Sequence, residues 1–348
     1  MLRVAIVGMG KMGQTRAREI ERHPATSLVA VADPDPTAFP GDSRVRVTRD
    51  YRELVALPDL HAVIVCTPNR ATPAVVIAAL EAGKHVFCEK PPGRSVQDIR
   101  DIMAAERRQP RLKLMFGFNH RRHAGIQEAM RIVDGGRFGR ILWLRGIYGK
   151  SGGEGYEQSW RSSRDVCGGG ILLDQGIHMV DLLRFFCGDF EEVKSMVTRA
   201  YWPSDVEDNA FALLRDRLGR VAMLHSSSTH WKHRFSLDIF MSDGYLSVNG
   251  ILSSSRSYGE ETITLARRQF DESFATGKPR EEIIYFDTDP SWELEIADFV
   301  DCVQKDTPVT HGKSEDALKA MELVFAIYEG DTRWSETVRH TDGLARRG

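Results

Sequence analysis

The first third of the chain alternates short apolar runs with longer segments in which apolar residues recur every three or four positions. Short apolar runs bounded by glycine, proline or charged residues are typical of buried strands, and the longer periodic segments are typical of helices. Strands are predicted at Arg3–Val7, Leu28–Ala32, Ala62–Cys66, His85–Cys88 and Lys113–Phe118. Helices are predicted between them at Lys11–Arg22, Thr72–Ala82 and Val96–Arg108. This alternation of apolar strands with helices predicts a parallel, doubly wound α/β sheet.

Beyond residue 120 the pattern becomes richer in strands, and polar turns of the kind found in antiparallel sheets separate them. Strands are predicted at Ile141–Tyr148, Ala210–Leu214, Val221–Ser226, Ser236–Met241 and Tyr245–Val248. Helices are predicted at Ala124–Asp134, Ile171–Phe186, Trp292–Gln304 and Ser314–Tyr328. We therefore expect an α/β domain over residues 1–120 and an α+β domain over residues 121–348. The second domain carries a large open, mainly antiparallel sheet, and its last helix is free to pack back on the first domain.

Composition and charge narrow the classes of function. The 348 residues suit two domains, and 42% hydrophobic and 28% charged residues are ordinary for a globular protein. A formal charge of -2 gives no electrostatic reason to expect nucleic acid or an anionic membrane as a partner. No apolar run is long enough to span a bilayer, and the amino terminus lacks the layout of a signal peptide. The five cysteines show no metal-ligand spacing, so we expect free thiols, a cytoplasmic location and no metal.

A glycine motif follows the first predicted strand and opens the first predicted helix. The segment Gly8-Met9-Gly10-Lys11-Met12-Gly13 matches G-x-G-x-x-G, in which the glycines allow a tight turn and a close approach of the backbone to a pyrophosphate. The amino terminus of the helix then attracts the phosphates. In this strand–helix context the motif predicts a Rossmann-type dinucleotide site.

Two further polar positions follow predicted strands of the same sheet. Asp33 lies 20 residues after Gly13, where a carboxylate accepts hydrogen bonds from ribose hydroxyls and repels a 2′-phosphate. NAD is therefore the expected cofactor, and NADP stays open because a distant basic residue is able to hold the phosphate. The loop Thr67-Pro68-Asn69 follows the strand Ala62–Cys66, and we expect its polar groups to contact the cofactor as well.

A charged pair follows the apolar strand that ends at Cys88. Glu89 and Lys90 come directly before two prolines, which prevent the strand from continuing smoothly into a helix. In open α/β sheets this carboxyl end of the strands is where ligands bind. Lys90 is therefore a candidate catalytic and cofactor-contacting residue. Glu89 is a candidate cofactor residue, which either pairs with Lys90 or binds the nicotinamide ribose.

The second candidate catalytic group lies in the second predicted domain, where three glycines precede a helical pattern. Asp174, His178 and Asp181 are spaced at i, i+4 and i+7, which predicts that they share one face of an α-helix. A histidine with a carboxylate one turn away is typical of general acid–base catalysis. Together with the dinucleotide motif, these residues fit alcohol oxidation. The cofactor takes the hydride, His178 takes the hydroxyl proton, and Lys90 stabilises the developing negative charge on the oxygen. Asp174 positions the substrate or tunes His178.

These segments resemble the glucose–fructose oxidoreductase / inositol dehydrogenase (Gfo/Idh/MocA) family. The resemblance covers most of the chain and is carried by the glycine motif, by Thr67-Pro68-Asn69, by Ala79–Pro91, by Gly117–Arg121 and by Asp174 with His178. It implies a dinucleotide domain followed by an α/β domain with an open sheet, and a sugar or polyol substrate. It also implies a catalytic Lys90, an acid–base pair of Asp174 and His178, and a homo-oligomer, dimer or tetramer, formed through the open sheets.

The resemblance also indicates which residues contact the substrate. Asn119 and Arg121 match a family turn, and Trp160, Arg161 and Arg164 lie where relatives contact substrate. The arginines suit a phosphorylated or nucleotide-linked sugar. The function expected is an NAD-dependent dehydrogenase of a sugar, polyol or sugar derivative. Two alternatives stay open: an NADPH-dependent keto-sugar reductase, and a non-catalytic dinucleotide-binding sensor.

Overall fold

The computed structural model of the protein describes residues 1–39, 44–253, 255–270 and 277–336, and the chain forms two compact units. Unit 1 contains Met1–Asn119, Ser163–Gly168 and Ser291–Met321. Unit 2 contains His120–Ser162, Gly169–Pro290 and the described part of Glu322–Gly348. This division differs from a single cut at residue 120, because two later segments of the chain return to unit 1.

The helices and strands are numbered along the described chain. The helices are α1 (Lys11–Arg22), α2 (Tyr51–Val55), α3 (Thr72–Glu81), α4 (Val96–Arg108), α5 (Ala124–Asp134), α6 (Arg164–Cys167), α7 (Ile177–Cys187), α8 (Ser291–Gln304) and α9 (Ser314–Glu329). The strands are β1 (Leu2–Val7), β2 (Thr26–Ala32), β3 (Arg46–Thr48), β4 (Ala62–Val65), β5 (His85–Glu89), β6 (Leu114–Gly117), β7 (Ile141–Gly149), β8 (Phe190–Thr198), β9 (Asn209–Asp216), β10 (Val221–Ser227), β11 (Arg234–Met241), β12 (Gly244–Asn249), β13 (Glu261–Arg267) and β14 (Glu282–Phe286).

Unit 1 is built on a six-stranded parallel sheet with the order β3-β2-β1-β4-β5-β6. The strand order changes direction between β1 and β4, so the loops after these two strands diverge and leave a crevice at their carboxyl ends. That crevice is the place where doubly wound sheets bind ligands. The glycine motif follows β1, and the loop Thr67-Pro68-Asn69 follows β4.

Helix α8 comes late in the sequence but supplies part of the core of unit 1. Its apolar residues Ile296, Phe299 and Val300 pack in the same cluster as Ile6 of β1 and Phe87 of β5. The rings of Phe87 and Phe299 meet edge to face, with centroids 5.8 Å apart. The i, i+3, i+4 spacing of these three positions forms the apolar stripe that attaches α8 to this sheet.

Unit 2 is built on an eight-stranded sheet with the order β14-β13-β12-β11-β7-β10-β9-β8. Neighbouring strands run antiparallel except for β7 and β10, which are parallel. Helix α7 packs against one face of the sheet, where Gly146 of β7 leaves space for the side chain of Met179. The fold class predicted from the sequence is confirmed: a parallel doubly wound sheet is followed by a large, mainly antiparallel sheet.

Several short or edge elements were not predicted from the sequence. They include β3, α2, α6, β8, β13 and β14. Strand β8 is an edge strand with charged residues at Glu191, Glu192 and Lys194, so its apolar alternation is weak. Edge strands are commonly protected by such charges, which also conceal them in a hydrophobicity pattern.

The cysteines and the most apolar helical segment of the chain are both mostly buried. All five cysteines are free thiols, and burial raises the pKa of Cys66 and Cys88. Among the described residues, the helical segment Arg164–Cys187 is long and apolar enough to cross a membrane. However, 83% of the most apolar 18-residue stretch of this segment is buried inside the protein, as in a core helix.

Helix α5 begins without a capping side chain of its own, and a carboxylate from β13 takes that role. The oxygens of Glu261 accept hydrogen bonds from the backbone nitrogens of Gly125, at 2.7 Å, and of Leu252, at 3.1 Å. A third contact joins Glu261 to Nδ1 of His123 at 2.8 Å. Glu261 therefore satisfies the buried beginning of α5 and ties the helix to the sheet.

Replacing Glu261 with glutamine should lower the free energy of unfolding by roughly 1.5–3 kcal/mol, because buried donors lose a charged acceptor. Burial alone would raise the pKa of Glu261, but the hydrogen bonds from His123 and the backbone hold it below its ordinary value of 4.5. A carboxylate whose pKa is lowered in the folded state stabilises the fold above its unfolded pKa, and this stability is lost as the pH falls through the folded pKa.

Thermal denaturation over a range of pH checks this prediction. The difference in Tm between wild type and Glu261→Gln should be largest above pH 4.5 and shrink below it. Glu192, exposed and paired with Arg215, serves as control, since its replacement should change stability by less than about 1 kcal/mol. A Tm difference that is constant with pH would contradict the ionised role of Glu261.

Candidate active site

The three glycines of the motif after β1 lie in three different structural environments. Gly8 has a φ of +91°, and a Cβ there would overlap the carbonyl of Cys66. A Cβ at Gly13 would overlap the carbonyl oxygen of Gly8, so α1 packs directly against the turn. A Cβ at Gly10, in contrast, would meet nothing within 4 Å. The open side of the loop at Gly10 is thus where the backbone can approach a ligand.

The amino terminus of α1 is suited to an anion. Gly10 is its N-cap residue and offers no side-chain cap, and the first turn contains no acidic residue. The N–H groups of the first turn, including those of Lys11 and Met12, have no partner within the helix and carry its positive dipole end. This combination fits the pyrophosphate of a dinucleotide, as predicted from the motif.

Asp33 connects the end of β2 to the glycine loop. Its Oδ2 accepts a hydrogen bond from the backbone nitrogen of Met9 at 2.6 Å, and its Oδ1 accepts one from Asp35 at 2.9 Å. A carboxylate has about four acceptor positions, so acceptor capacity is left for ribose hydroxyls. The residues around the loop therefore fit a nicotinamide dinucleotide, and Asp33 additionally fixes the shape of the loop.

Two predicted contact residues have their amide nitrogens bonded within unit 1. Asn69 is buried and donates to the carbonyl of Cys167 at 2.7 Å. Asn119 is buried and donates to the hydroxyl of Ser291 at 3.0 Å. Thr67, at the loop after β4, shares a hydroxyl hydrogen bond of 2.9 Å with Thr72. These side chains hold the loops of unit 1, and their predicted ligand contacts stay predictions.

Glu89 has a partner that the sequence did not suggest. Its Oε1 accepts a hydrogen bond of 2.6 Å from Nε of Arg16 on α1, and the same guanidinium donates to Oε2 of Glu295 on α8 at 2.6 Å. The rings of Phe87 and Trp292 lie 4.4 and 4.7 Å from the guanidinium carbon of Arg16. Arg16 is fully buried, and the two carboxylates raise its pKa against the effect of burial.

This arrangement changes the interpretation of Glu89. Its predicted roles are a pair with Lys90 or a contact with the nicotinamide ribose, and both stay predictions, whereas the structure adds Arg16 as the partner of its Oε1. Lys90 follows Glu89 directly, at the carboxyl end of β5, and is partly buried. Its peptide bond to Pro91 is cis. The Arg16–Glu89–Glu295 triad therefore fixes the strand end from which Lys90 projects.

In unit 2, the segment that carries Asp174 is not a regular α-helix. Leu172–Gly176 forms a π-helical turn, and α7 begins only at Ile177. The prediction of one regular α-helix through Asp174, His178 and Asp181 is therefore wrong, because Asp174 lies in the π-helical turn and only His178 and Asp181 lie on α7. Turns of this kind occur frequently at functional sites.

The ring of His178 lies against a second histidine. His120 and His178 are stacked, with centroids 3.7 Å apart and an interplanar angle of 13°. Nε2 of His120 lies 3.2 Å from the hydroxyl of Tyr148, which is hydrogen-bonded to the hydroxyl of Tyr258. Burial raises the pKa of Tyr148, and burial also raises the pKa of Tyr258 to about 12. Both hydroxyls are thus protonated at neutral pH, and the charge of Asp174 contributes to both shifts.

Asp174 meets one of the predicted substrate residues. Nε of Arg161 lies 3.3 Å from the Asp174 carboxylate, and the guanidinium of Arg161 stacks 4.4 Å from the ring centre of Trp160. Asp174 is buried, whereas the side chain of Arg161 is 35% exposed. The structure thus brings Trp160, Arg161 and Asp174 together within unit 2, with the cation near the surface.

The guanidinium of Arg121 is paired with a carboxylate of the protein itself. Its guanidinium makes two hydrogen bonds, of 2.7 and 2.6 Å, to the carboxylate of Asp181 on α7. Both side chains are buried, and the ring of Phe185 lies 5.0 Å from the guanidinium carbon. The fork of Arg121 binds Asp181 and so fixes α7, and the predicted substrate contact of Arg121 stays a prediction. Arg164 begins α6 and belongs to unit 1.

Sequence reasoning missed Arg16, His120 and Tyr148. Arg16 lies on the same face of α1 as the buried residues Gly13 and Ile20, and a charge on a buried helix face requires a partner. That pattern alone could have singled out Arg16. His120 and Tyr148 had no comparable pattern, because only the packing of unit 2 brings them to His178.

Replacing Arg16 with methionine should destabilise the protein by roughly 3–5 kcal/mol, because it leaves two buried carboxylates without their cation. Urea denaturation measures this change, and Glu295→Gln in the same background should restore part of the loss. The control is Arg52→Met, which breaks an exposed pair with Asp50 and should cost less than about 1 kcal/mol. Equal stability of Arg16→Met and wild type would show that the triad does not hold unit 1 together.

Comparison with known proteins identifies the family to which the sequence is similar. Residues 2–118 match the model described as "Oxidoreductase family, NAD-binding Rossmann fold", and residues 126–247 match the "GFO/IDH/MocA C-terminal domain". The chain is 26% identical over 289 residues to levoglucosan dehydrogenase of Pseudarthrobacter phenanthrenivorans, covering 71% of this chain and 73% of that protein. It is 25% identical over 289 residues to myo-inositol 2-dehydrogenase of Thermotoga maritima, covering 78% of this chain and 80% of that one.

A solved structure of levoglucosan dehydrogenase in complex with NADH superposes with a TM-score of 0.84, covers 96% of this chain and 97% of the other, and shares 22% identity. At this sequence identity the superposition shows that the two proteins share a fold, and no more. The sequence matches reach further, because the two family models together span the glycine motif, the segment of Lys90, and Asp174 with His178. The resemblance predicted from the motifs is confirmed, and the chain belongs to the GFO/IDH/MocA family of nicotinamide-dependent oxidoreductases.

Proposed function

We propose that the protein is a dehydrogenase that transfers a hydride between NAD and a secondary alcohol of a sugar, a polyol or a sugar derivative. The observation that carries this proposal is the combination of a dinucleotide-type glycine loop in unit 1 with a buried histidine–carboxylate site in unit 2. Relatives named as levoglucosan and myo-inositol dehydrogenases support a sugar or polyol as substrate.

NAD, when bound, supplies the carbon that accepts or donates the hydride. The residues that would hold it are the open backbone at Gly10, the first turn of α1 and the carboxylate of Asp33. A 2′-phosphate would meet the negative charge of Asp33, which favours NAD over NADP. Lys90 would donate a hydrogen bond to the reacting oxygen and stabilise its negative charge as the hydroxyl proton leaves.

His178 is the proposed general base for that hydroxyl proton. Its ring stacks on His120, and the hydroxyls of Tyr148 and Tyr258 in the same cluster stay protonated at neutral pH because burial raises their pKa. The carboxylate of Asp174 supplies negative charge in the same cluster, as its effect on the pKa of Tyr148 and Tyr258 shows, and its proposed role is to position the substrate or tune His178. Arg161, which pairs with Asp174, is partly exposed and stacks on the ring of Trp160. It is the proposed contact for polar or anionic substituents of the substrate.

Two alternatives differ from this proposal in observable ways. An NADPH-dependent keto-sugar reductase would use the same residues in reverse but would have to tolerate the 2′-phosphate beside Asp33. A non-catalytic sensor would bind the dinucleotide without turnover. The buried His178 and Asp174 argue against a sensor, because a binding module has no need for a buried acid–base group.

Replacing Lys90 with methionine should lower kcat by about 10²–10³-fold, because the reacting oxygen loses its charged hydrogen-bond donor. His178→Asn should lower kcat by about 10²–10⁴-fold through loss of the general base. The measurement is NAD reduction in a screen of sugars, polyols and sugar derivatives, followed by kcat and KM on the best substrate. Fluorescence titration should show tighter binding of NADH than of NADPH.

Lys84→Met is the matched control, because Lys84 precedes the same strand β5 at its opposite end. Its ammonium donates to the carbonyls of Leu57 and Leu60, so the change should reduce stability without reducing kcat. Turnover of Lys90→Met near that of wild type would refute the role of Lys90. Absence of turnover with any substrate, despite NADH binding, would favour the sensor.

We further propose that the protein forms a homo-oligomer through the open face of the sheet in unit 2. Residues opposite one another on neighbouring strands point to the same face. By that register, one face carries Trp143, Met196, Phe211, Leu213, Met223, Phe240, Tyr245 and Ile283. Met196 is 71% exposed and Phe211 44% exposed. An apolar exposed patch of this kind marks an interaction surface.

A second copy of the chain suits this face. Arg145 and Asp238 form an ion pair of 2.7 Å in its middle, so the face carries both charges and is complementary to itself under two-fold symmetry. Phe211→Lys should therefore lower the mass measured by size exclusion with light scattering by at least half. Phe270→Lys, at an exposed phenylalanine outside this sheet, should leave the mass unchanged. A monomeric wild type would refute the proposal.

A further inference from the structure

A buried carboxylate just before β9 holds the segment that carries Asp174. Glu207 belongs to the motif Asp205-Val206-Glu207-Asp208-Asn209, to which no function has yet been attached. Only 1% of its surface is exposed. Its Oε2 accepts from the backbone nitrogen of Gly170 at 2.7 Å, and its Oε1 accepts from the backbone nitrogen of Leu172 at 3.0 Å.

The backbone of Glu207 also touches this segment. Its carbonyl oxygen accepts a hydrogen bond from the nitrogen of Ile171 at 3.3 Å. Three successive N–H groups at the start of the helical segment are therefore bonded to a single residue. The amino terminus of a helical segment carries partial positive charge, so an ionised acceptor there adds electrostatic attraction to these bonds.

The glycines before Asp174 make this close approach sterically feasible. A Cβ at Gly170 would overlap the carbonyl oxygen of Glu207, and a Cβ at Gly169 would overlap the hydroxyl of Tyr328. That hydroxyl donates to Oε1 of Glu207 at 2.7 Å, which fixes the carboxylate from α9. The glycine run, the motif before β9 and the helix α9 thus meet at Glu207.

The contact reaches Asp174 through one residue, Gly170. The nitrogen of Gly170 donates to Glu207, and the carbonyl of the same Gly170 accepts from the nitrogen of Asp174 at 2.9 Å. Gly170 is therefore held on both sides. Because the π-helical turn follows directly and leads into α7, the position of His178 depends on the same anchor.

We propose that Glu207 is a positioning residue for the proposed reaction: it sets the place of Asp174 and His178 through the backbone of Gly170–Leu172. This inference rests on the proposed function for its catalytic consequence, whereas the anchoring itself is independent of turnover. Burial raises the pKa of Glu207, and the hydrogen bonds from Tyr328 and the backbone oppose that rise.

The next residue in the chain provides a matched control. Asp208 is also 1% exposed, and its carboxylate accepts hydrogen bonds from the backbone nitrogens of Ala200, Tyr201 and Trp202 at 2.7–3.0 Å. It thus holds three N–H groups of another loop, distant in sequence from Asp174. Glu207→Gln and Asp208→Asn each replace a buried carboxyl group that accepts hydrogen bonds from backbone N–H groups, and the segments that they anchor differ.

Two measurements on the full-length protein test the proposal. Hydrogen exchange followed by mass spectrometry should show faster exchange in 168–178 for Glu207→Gln and in 199–203 for Asp208→Asn. On the best sugar substrate, Glu207→Gln should lower kcat by about 10–100-fold, because small displacements of catalytic groups have effects of this size. Asp208→Asn should keep kcat within about threefold at a similar loss of Tm, and both variants should bind NADH as wild type does.

The outcomes separate the inference from the proposed function. Unchanged exchange in 168–178, or a kcat loss in Glu207→Gln no larger than in Asp208→Asn, would overturn the positioning role. If wild type turns over no sugar, the proposed function fails, and the exchange data alone decide the anchoring. If Glu207→Gln does not fold, Tyr328→Phe replaces it, and faster exchange in 168–178 with a smaller kcat loss is then expected. Exchange in Tyr328→Phe equal to wild type would refute the anchor.

Discussion

The fully buried guanidinium of Arg16 is the constraint on which unit 1 depends. Taking an arginine out of water is costly, and removing either partner of such a group leaves a bare charge in the core. Arg16 is stable there because it bonds to Glu89 and Glu295 and lies between the rings of Phe87 and Trp292. These partners come from β5 and α8, and Arg16 itself lies on α1, so the guanidinium joins three elements in one arrangement.

The consequence is functional as well as structural. Helix α1 presents its amino terminus to the expected pyrophosphate, and β5 ends at Lys90. A single cation thus fixes the helix that would bind the cofactor against the strand that presents the candidate catalytic lysine. The apolar residues of α8 would attach this helix to the sheet in any case, but Glu295 specifies how it is oriented.

Unit 2 uses the same physical device with the opposite charge. Glu207 is a buried anion that bonds to backbone N–H groups, and Arg121 with Asp181 forms a buried bidentate pair that holds α7. Between them lie the π-helical turn and the stacked rings of His178 and His120. Polar groups that are fully bonded in a low-dielectric surrounding hold a unique geometry, and acid–base chemistry requires such geometry.

The sequence by itself determined the fold class, the order of the elements and the cofactor loop. Helix bounds at Lys11–Arg22, Val96–Arg108 and Ala124–Asp134 agree with the structure, because apolar periodicity and strong end signals are local properties. The glycine motif was equally local, since Gly13 packs against Gly8 five residues earlier and Gly8 packs against Cys66 at the end of the adjacent strand.

Only the tertiary structure decided which charges meet. Arg16 and Glu295 are separated by 279 positions, and Arg121 and Asp181 by 60, so no pattern along the chain pairs them. The sequence offered Arg121 as a substrate contact and Glu89 as a partner of Lys90 or of the nicotinamide ribose, and only the fold revealed their partners Asp181 and Arg16. It also predicted a regular helix through Asp174, whereas the structure has a π-helical turn there, which begins where Glu207 bonds to the backbone of Gly170 and Leu172. Local patterns record which elements form, and the long-range pairing of buried charges determines how the site is built.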